Sequence, residues 1–428
     1  MTTERSRLLL LLIGGLILLG LMIRDGELLL LAIPLLVYLM LGLLRAPTDV
    51  ALLAHRTLSN HGVEAHDLVD IHVRVENRGE ALANLWLRDE PLSGMVVSDG
   101  QTSRGFHLSS GESTDISYVV RADRGAYSWA SIQARACDPF GLFAYAQAVP
   151  APGSLIVRPR VMTARRLYLK PLATKLAAGP FQARKAGTGT DYWGIREYRP
   201  GDSLRRLNWR LAARHPGRRF TNEFQREEIA DFGLILDTRR LSNVDRMELA
   251  LLESRVSAAA SLVEAFLKSG SRVSLLLFGR TMSPIFPGSG KHQLDRMLTS
   301  LARAGLSSYV PFDFVKYFPA RLFPTHSELV VISNMDGRDL QAYAQLRAFG
   351  YNVQLISPDP VDYEARTPQH ASSDSLGLRA AKIERIAYLK RLLQLGVKVI
   401  DWKVDQPLDT AMQAATRHDQ PRRRLRAG

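Results

Sequence analysis

Between Gly187 and Glu227 the chain sets nine arginines against five acids, interleaved with Tyr192, Trp193, Tyr198, Trp209, Phe220 and Phe224. Guanidinium groups at this density could bind a nucleic-acid backbone while the rings stack on bases. They could also hold an anion at a catalytic centre, or present a docking surface to another protein. The acids bear on the choice. Glu197 and Asp202 alternate with Arg196, Arg199, Arg205 and Arg206, so bidentate pairs within the fold can neutralise these cations. This favours a structural or protein-docking use, and no nucleic-acid partner is expected. The run from Gly187 to Gly194, with Gly187, Gly189 and Asp191, is not a phosphate loop, because no Gly-Lys-Ser/Thr follows at the required spacing.

Other chemistry-bearing patterns fail on spacing. The segment 286–293 (FPGSGKHQ) imitates a nucleotide loop, but Ile285 stands where the first glycine belongs and His292 follows Lys291. There is no Gly-x-Ser-x-Gly elbow, no His-Glu-x-x-His and no paired-cysteine spacing. His55, His61, His66, His72 and His107 lack metal-ligand spacing, and Asp313, Asp336 and Asp359 read as solvated turn acids. The lone cysteine, Cys137, reads as a small packed thiol and permits a reducing compartment. No catalytic residue and no cofactor is assigned.

The elements that position the arginine-rich segment follow from patterning. After Pro200-Gly201, Asp202 or Ser203 is placed to cap a helix. That helix would share Leu204, Leu207 and Leu211 on one face and turn Arg205, Arg206 and Arg210 outward. Upstream, 66–80 (HDLVDIHVRVENRGE) alternates Val69, Ile71, Val73 and Val75, and 113–136 gives two more alternating runs around a turn. Period-two runs at this spacing predict an antiparallel β-sandwich over 63–161, after a linker at 46–62. Downstream of a signature segment at 162–230, strands at 231–237, 272–279, 327–334, 352–357 and 397–401 alternate with helices at 247–269, 340–349 and 380–395. This order predicts a parallel α/β sheet over 231–417 and leaves a basic tail at 418–428.

At 428 residues the chain is long for one core. Its net charge of +14 is local. Fifteen Lys/Arg against four Asp/Glu lie between Arg165 and Arg226, and five arginines against one aspartate lie from Arg417 onward. The first 45 residues differ from the rest. Leu8–Ile23 and Leu28–Leu44 carry no charge and flank Arg24-Asp25-Gly26-Glu27, which predicts a transmembrane helical hairpin in membrane lipid. The link offers no small-residue cleavage site. Arg5, Arg7, Arg45 and Arg56 outside the hairpin place both termini and the body on the cytoplasmic face of the inner (cytoplasmic) membrane.

Taken together, Gly187-Thr188-Gly189-Thr190-Asp191, REYRPGD at 196–202, RRLNW at 205–209 and FQRE at 224–227 resemble the signature of domain-of-unknown-function family 58, a family of membrane-anchored bacterial and archaeal proteins. The resemblance singles out Gly187, Gly189, Asp191, Arg196, Glu197, Tyr198, Pro200, Gly201, Asp202, Arg205, Arg206, Trp209 and Glu227 as signature and partner-docking positions. It implies a von Willebrand factor A-like (Rossmann-type) C-terminal domain and association with a MoxR-type AAA+ ATPase. Such domains hold a divalent metal such as magnesium through Asp-x-Ser-x-Ser and distant oxygen ligands. Here Asp237 is present, but Arg239 and Leu241 replace the serines, and Asn334 stands in the position of the later aspartate, with Asp336 nearby. Expected, therefore, is a degenerate site without a metal, with Asp237 paired to Arg239 or Arg240. The function implied is a non-enzymatic, membrane-anchored adaptor or scaffold. The alternative is a metal-dependent ligand-binding domain using Asp237, Asn334 and Asp336.

Overall fold

The computed structural model describes residues 3–47, 50–60, 62–162, 175–241, 244–280, 282–308, 321–325, 327–366 and 376–418, with backbone alone over 175–193, 224–229, 245 and 416–418. Asp313 and most of the basic tail lie outside the described residues. The chain divides into two compact units, Met1–Arg158 and Pro159–Gly428.

The first unit opens with two apolar helices, α1 (Glu4–Ile23) and α2 (Gly26–Leu44). At about 1.5 Å per residue each is close to 30 Å long, the thickness of a bilayer's hydrocarbon core. Their reversal is tight. Arg24 adopts a left-handed φ of 61°, and the Asp25 carboxylate caps α2 by accepting from the Glu27 N–H at 2.9 Å. Most of their leucines face outward, with Leu11 73% exposed.

Nine strands follow as β1 (Leu52–Leu58), β2 (Gly62–Glu64), β3 (Leu68–Asn77), β4 (Leu82–Arg88), β5 (Met95–Gly100), β6 (Ser103–Leu108), β7 (Ser113–Ala122), β8 (Gly125–Cys137) and β9 (Ala144–Arg158). They form two sheets, β1-β3-β7-β5 and β2-β9-β8-β4-β6. Val69, Ile71, Val73 and Val75 are wholly buried, because alternate residues of β3 face the core between the sheets. The stretch read as a linker carries β1, which pairs with β3 along its whole length. Arg56 sits on that strand and is buried. It donates to Asp89 at 2.5 Å and to the Ala151 carbonyl at 2.6 Å, while the Tyr118 hydroxyl donates to the other Asp89 oxygen at 2.8 Å. Burial, and then the Asp89 charge, push the Tyr118 hydroxyl well above its usual pKa. Arg56 is therefore a core residue and not an interfacial cation. Cys137, at the end of β8, is half-buried and not packed away as expected.

The second unit begins with a long antiparallel pair, β10 (Lys175–Glu197) and β11 (Phe220–Ile229), around a turn of 3₁₀ helix (Leu204–Arg206) and the short helix α3 (Trp209–Arg214). Next come β12 (Asp231–Asp237), α4 (Asp245–Lys268), β13 (Arg272–Phe278), β14 (Ser283–Gly288), α5 (Gly290–Ala302), β15 (Glu328–Ile332), α6 (Leu340–Ala348), β16 (Asn352–Pro358), α7 (Pro360–Ala365), α8 (Leu376–Gln394), β17 (Lys398–Trp402) and α9 (Leu408–His418). Six strands make one sheet ordered β14-β13-β12-β15-β16-β17. Every neighbouring pair is parallel except β13 with β14. Every residue of β12 and β15 is buried, as expected of central strands covered on both faces. Antiparallel β14 was not foreseen from the sequence, and Gly290 opens α5 instead of a nucleotide loop.

Candidate functional site

Chain order reverses between β12 and β15, and a crevice at the carboxyl ends of such strands is where open α/β sheets place ligands. Asp237 closes β12 at that point, and its environment is fully buried. The Arg239 guanidinium donates to both oxygens of Asp237, Nε to Oδ1 at 2.9 Å and Nη2 to Oδ2 at 2.8 Å. It also donates to both oxygens of Asp339, at 3.1 and 2.6 Å. The Arg239 N–H reaches Asp237 Oδ1 at 3.0 Å, and the Ser333 hydroxyl donates to Asp237 Oδ2 at 2.6 Å. Behind this cluster Arg255, also buried, donates to the Asp237 carbonyl at 2.7 Å and lies 3.5 Å from Glu248. Burial works against the charge on Arg239, but the hydrogen bonds it donates to Asp237 and Asp339 win and raise its pKa. Arg239 is thus a cation held between Asp237 and Asp339, although burial outweighs the Arg239 bonds at Asp339 and pushes that carboxyl above its usual range.

This arrangement does not fit a divalent metal. A hard cation needs six or more oxygens around open space, whereas here the oxygens of Asp237 and Asp339 converge on a guanidinium. No group of three or more His, Cys, Asp or Glu side chains that could hold a metal occurs among the described residues. The other two residues named as weak ligands make no hydrogen bond to Asp237, although the Asp336 charge is felt at both Arg239 and Asp339. The Asp336 carboxylate caps the following 3₁₀ turn and pairs with Arg338. Burial of Asp336 is outweighed by the Arg338 bonds, so its pKa falls. Asn334 is 4% exposed, and neither polar atom of its amide has a hydrogen-bond partner among the described residues. Between them Met335 takes a left-handed φ of 71°, which costs a non-glycine residue about 1–2 kcal/mol and brings its N–H onto the Ser333 hydroxyl at 3.0 Å. Asp359 is not a free turn acid either. It caps α7 and lies 3.3 Å from Arg385.

The arginine-rich segment forms a second site. Arg196, near the end of β10, places its guanidinium on both oxygens of Asp202 at 2.7 Å each, and its Nε on Glu223 of β11 at 2.7 Å. Asp202 also accepts the Arg199 N–H at 2.8 Å. The Pro200-Gly201 turn allows this return, since Gly201 has φ +105°. The hydrogen bonds from Arg196, and then the Arg199 N–H, hold the Asp202 carboxyl down at about 2. The expected single helix after Pro200-Gly201 is therefore absent. The Asp202 carboxylate is occupied by Arg196 and Ser203 makes no cap, so only a 3₁₀ turn forms at Leu204–Arg206. Asn208 then caps α3, accepting from the Leu211 N–H at 3.0 Å. The leucine face is broken, with Leu207 buried and Leu204 exposed.

Of the arginines expected to be neutralised by Glu197 and Asp202, Arg196 pairs its side chain with Asp202, while Glu197 lies 3.6 Å from Arg218. Arg199, Arg205 and Arg210 are exposed, and Tyr198 and Arg206 are partly covered. Trp209 is 70% exposed and Leu204 63%. The side chains of Asp191 and Glu227 lie outside the described residues. The backbone of Gly187 and Gly189 runs in β10, and Gly187 pairs with Phe224. Sequence reading missed Asp339, Ser333 and Glu223, whose only signal is proximity that the folded sheet creates.

A family model described as "Protein of unknown function DUF58" matches residues 194–342. Residues 194–342 are a DUF58 region. Both the Arg196–Asp202–Glu223 clamp and the Asp237–Arg239–Asp339 cluster fall within it. The DUF58 description names no activity. Among solved structures, the chain is similar to the CARDB domain of a Pyrococcus furiosus protein at 14% identity, covering 25% of this chain and 93% of that one with a TM-score of 0.19. It is also similar to the VesB protease of Vibrio cholerae at 12% identity, covering 28% of this chain and 35% of that one with a TM-score of 0.17. Comparison with curated proteins finds no match.

Proposed function

We propose that this protein is a membrane-anchored, non-enzymatic adaptor that docks another protein through the DUF58 surface around Trp209. The observation that carries this reading is the exposure of Trp209 (70%) and Leu204 (63%) beside the exposed guanidiniums of Arg205 and Arg210. Tryptophan and arginine dominate the energetics of protein interfaces, and the Arg196 clamp gives them a fixed base. A basic and aromatic patch of this kind suits a partner with an acidic, apolar-centred surface. The partner we propose is the MoxR-type AAA+ ATPase that the family resemblance implies. The two apolar helices serve in this reading as membrane spans, with the body on the cytoplasmic side.

The sheet order, 3-2-1-4-5-6 in chain order of its strands with the third antiparallel, supports a von Willebrand factor A-like domain in which Arg239 takes the place of the metal. Such a domain grips its partner by surface complementarity and not through a metal-bridged carboxylate. The test is co-purification of the detergent-solubilised full chain with the ATPase. Trp209→Ala and Arg205→Glu/Arg206→Glu are expected to lose the partner with the unfolding midpoint unchanged. Retention of the partner by both variants would refute the docking surface.

A further inference from the structure

We propose that the first unit carries a binding site for the phosphodiester headgroup of an anionic glycerophospholipid, where α1 begins and β8 ends. The proposal rests on the reading of α1 and α2 as membrane spans. At that end the hairpin is fastened to the turn following β8. The Thr3 N–H donates to the Leu142 carbonyl at 3.1 Å, and the Thr3 hydroxyl lies 2.9 Å from the carbonyls of Gly141 and Leu142. The Tyr38 ring of α2 packs on Phe140 with centroids 4.9 Å apart. This turn therefore sits at the level where the apolar run of α1 starts, which in a bilayer is the headgroup layer.

A polar cavity of about 710 Å³ opens there, lined by Arg5, Arg7, Arg135, Trp86, Cys137 and Glu4 among others. Trp86 and Arg135 are directly opposed partners on β4 and β8, so both side chains stand on the same outward face of that sheet. Gly105, opposite Trp86 on β6, lets the indole lie across the strand, since a Cβ there would come within 3.2 Å of the ring. The Arg5 guanidinium reaches over Gly141 to the same place. Arg5, Arg7 and Arg135 form no ion pair with a described residue, and three guanidiniums face the single carboxylate of Glu4. Guanidinium forks match phosphate oxygens, and exposed Trp and Tyr rings favour the interface beside them. The volume falls in the range of small-ligand sites. The excess of positive charge selects an anionic lipid over a zwitterionic one.

The test is native mass spectrometry of the detergent-purified full chain offered equal amounts of phosphatidylglycerol, phosphatidylethanolamine and phosphatidylcholine. Wild type is expected to retain phosphatidylglycerol preferentially. Arg135→Gln and Arg5→Gln should each lower that preference by about fivefold, the effect of one basic group at an anionic surface. Arg104→Gln, which alters an arginine outside the cavity, should leave it unchanged. Equal retention of the three lipids, or no effect of Arg135→Gln, would overturn the site. Displacement of the lipid by millimolar inorganic phosphate would assign the pocket to a free anion instead. Alkaline-carbonate extraction of cell membranes, with the chain found in the supernatant, would defeat the membrane reading itself, independently of the lipid preference. Cys137 is the chain's only cysteine and gives a second readout, because its maleimide labelling in nanodiscs should slow when phosphatidylglycerol replaces phosphatidylcholine.

Discussion

Arg239 and Asp339 are separated by one hundred residues, yet they meet as a buried two-bond fork of 3.1 and 2.6 Å between the segment following β12 and the turn leading into α6. The same guanidinium neutralises Asp237, so its removal leaves two carboxylates without their cation. Breaking a buried pair from one side typically costs about 3–5 kcal/mol. Arg239→Met is expected to destabilise by about that amount in urea unfolding followed by circular dichroism. Arg239→Met combined with Asp339→Asn should cost less than the sum of the single changes, by about 0.5–3 kcal/mol of coupling. Strict additivity would mean that the fork contributes nothing.

Removing the guanidinium also tests why this site departs from the metal-binding pattern. Arg239→Ser leaves Asp237, Ser333 and Asp339 as oxygen donors around the vacated position. Magnesium is then expected to raise the unfolding temperature of the variant and not that of the wild type, because a ligand that binds only the native state stabilises it by mass action. An equal rise in both proteins would place the metal elsewhere.

The contrast between the two sites shows what the amino-acid sequence can disclose. Alternation alone placed Val69, Ile71, Val73 and Val75 in a core, since burial of one sheet face writes itself into the chain at period two. The apolar runs of α1 and α2 and the short buried strands β12, β13, β15 and β16 were legible for a different reason, as uninterrupted apolar runs of characteristic length. The pairing of Asp237 with Arg239 could be anticipated because the two lie two residues apart at a strand end. Asp339 could not, because only the parallel sheet brings it there. The helix expected after Gly201 failed through competition for one carboxylate. Asp202 has the right type and position for a cap, but Arg196 supplies two charged hydrogen bonds, which outweigh one from a backbone N–H. Arg56 misled in the opposite sense, since a charge close to an apolar helix reads as interfacial until its buried partner, Asp89, is seen.

The Asp202 clamp should persist far into acid. Its carboxyl is depressed from 3.8 to about 2, so its contribution is complete above the unfolded value and is lost only as pH falls through about 2. Carbon-13 NMR of the Asp202 carboxyl should show no titration between pH 7 and 4 and a midpoint near the lower value. A midpoint near the unfolded value would mean that Arg196 does not hold it in solution. Asp202→Asn removes this stabilising increment at neutral pH, and the difference between the two proteins should vanish as the wild type is taken below the depressed value.

Asn208 and Trp209 are adjacent, but they are predicted to behave oppositely. The Asn208 side chain accepts the Leu211 N–H at 3.0 Å and donates to Asn222 on β11 at 2.8 Å, so it fixes α3 against the hairpin. Loss of an N-cap costs about 1 kcal/mol, and Asn208→Ala should lower the unfolding midpoint accordingly. Trp209 is largely in solvent, and surface substitutions of this kind stay within about 0.5 kcal/mol. Trp209→Ala should therefore leave denaturant unfolding unchanged while abolishing partner co-purification. If Trp209→Ala destabilises as much as Asn208→Ala, the indole is packing against the protein's own surface, and the case for a docking role falls with it.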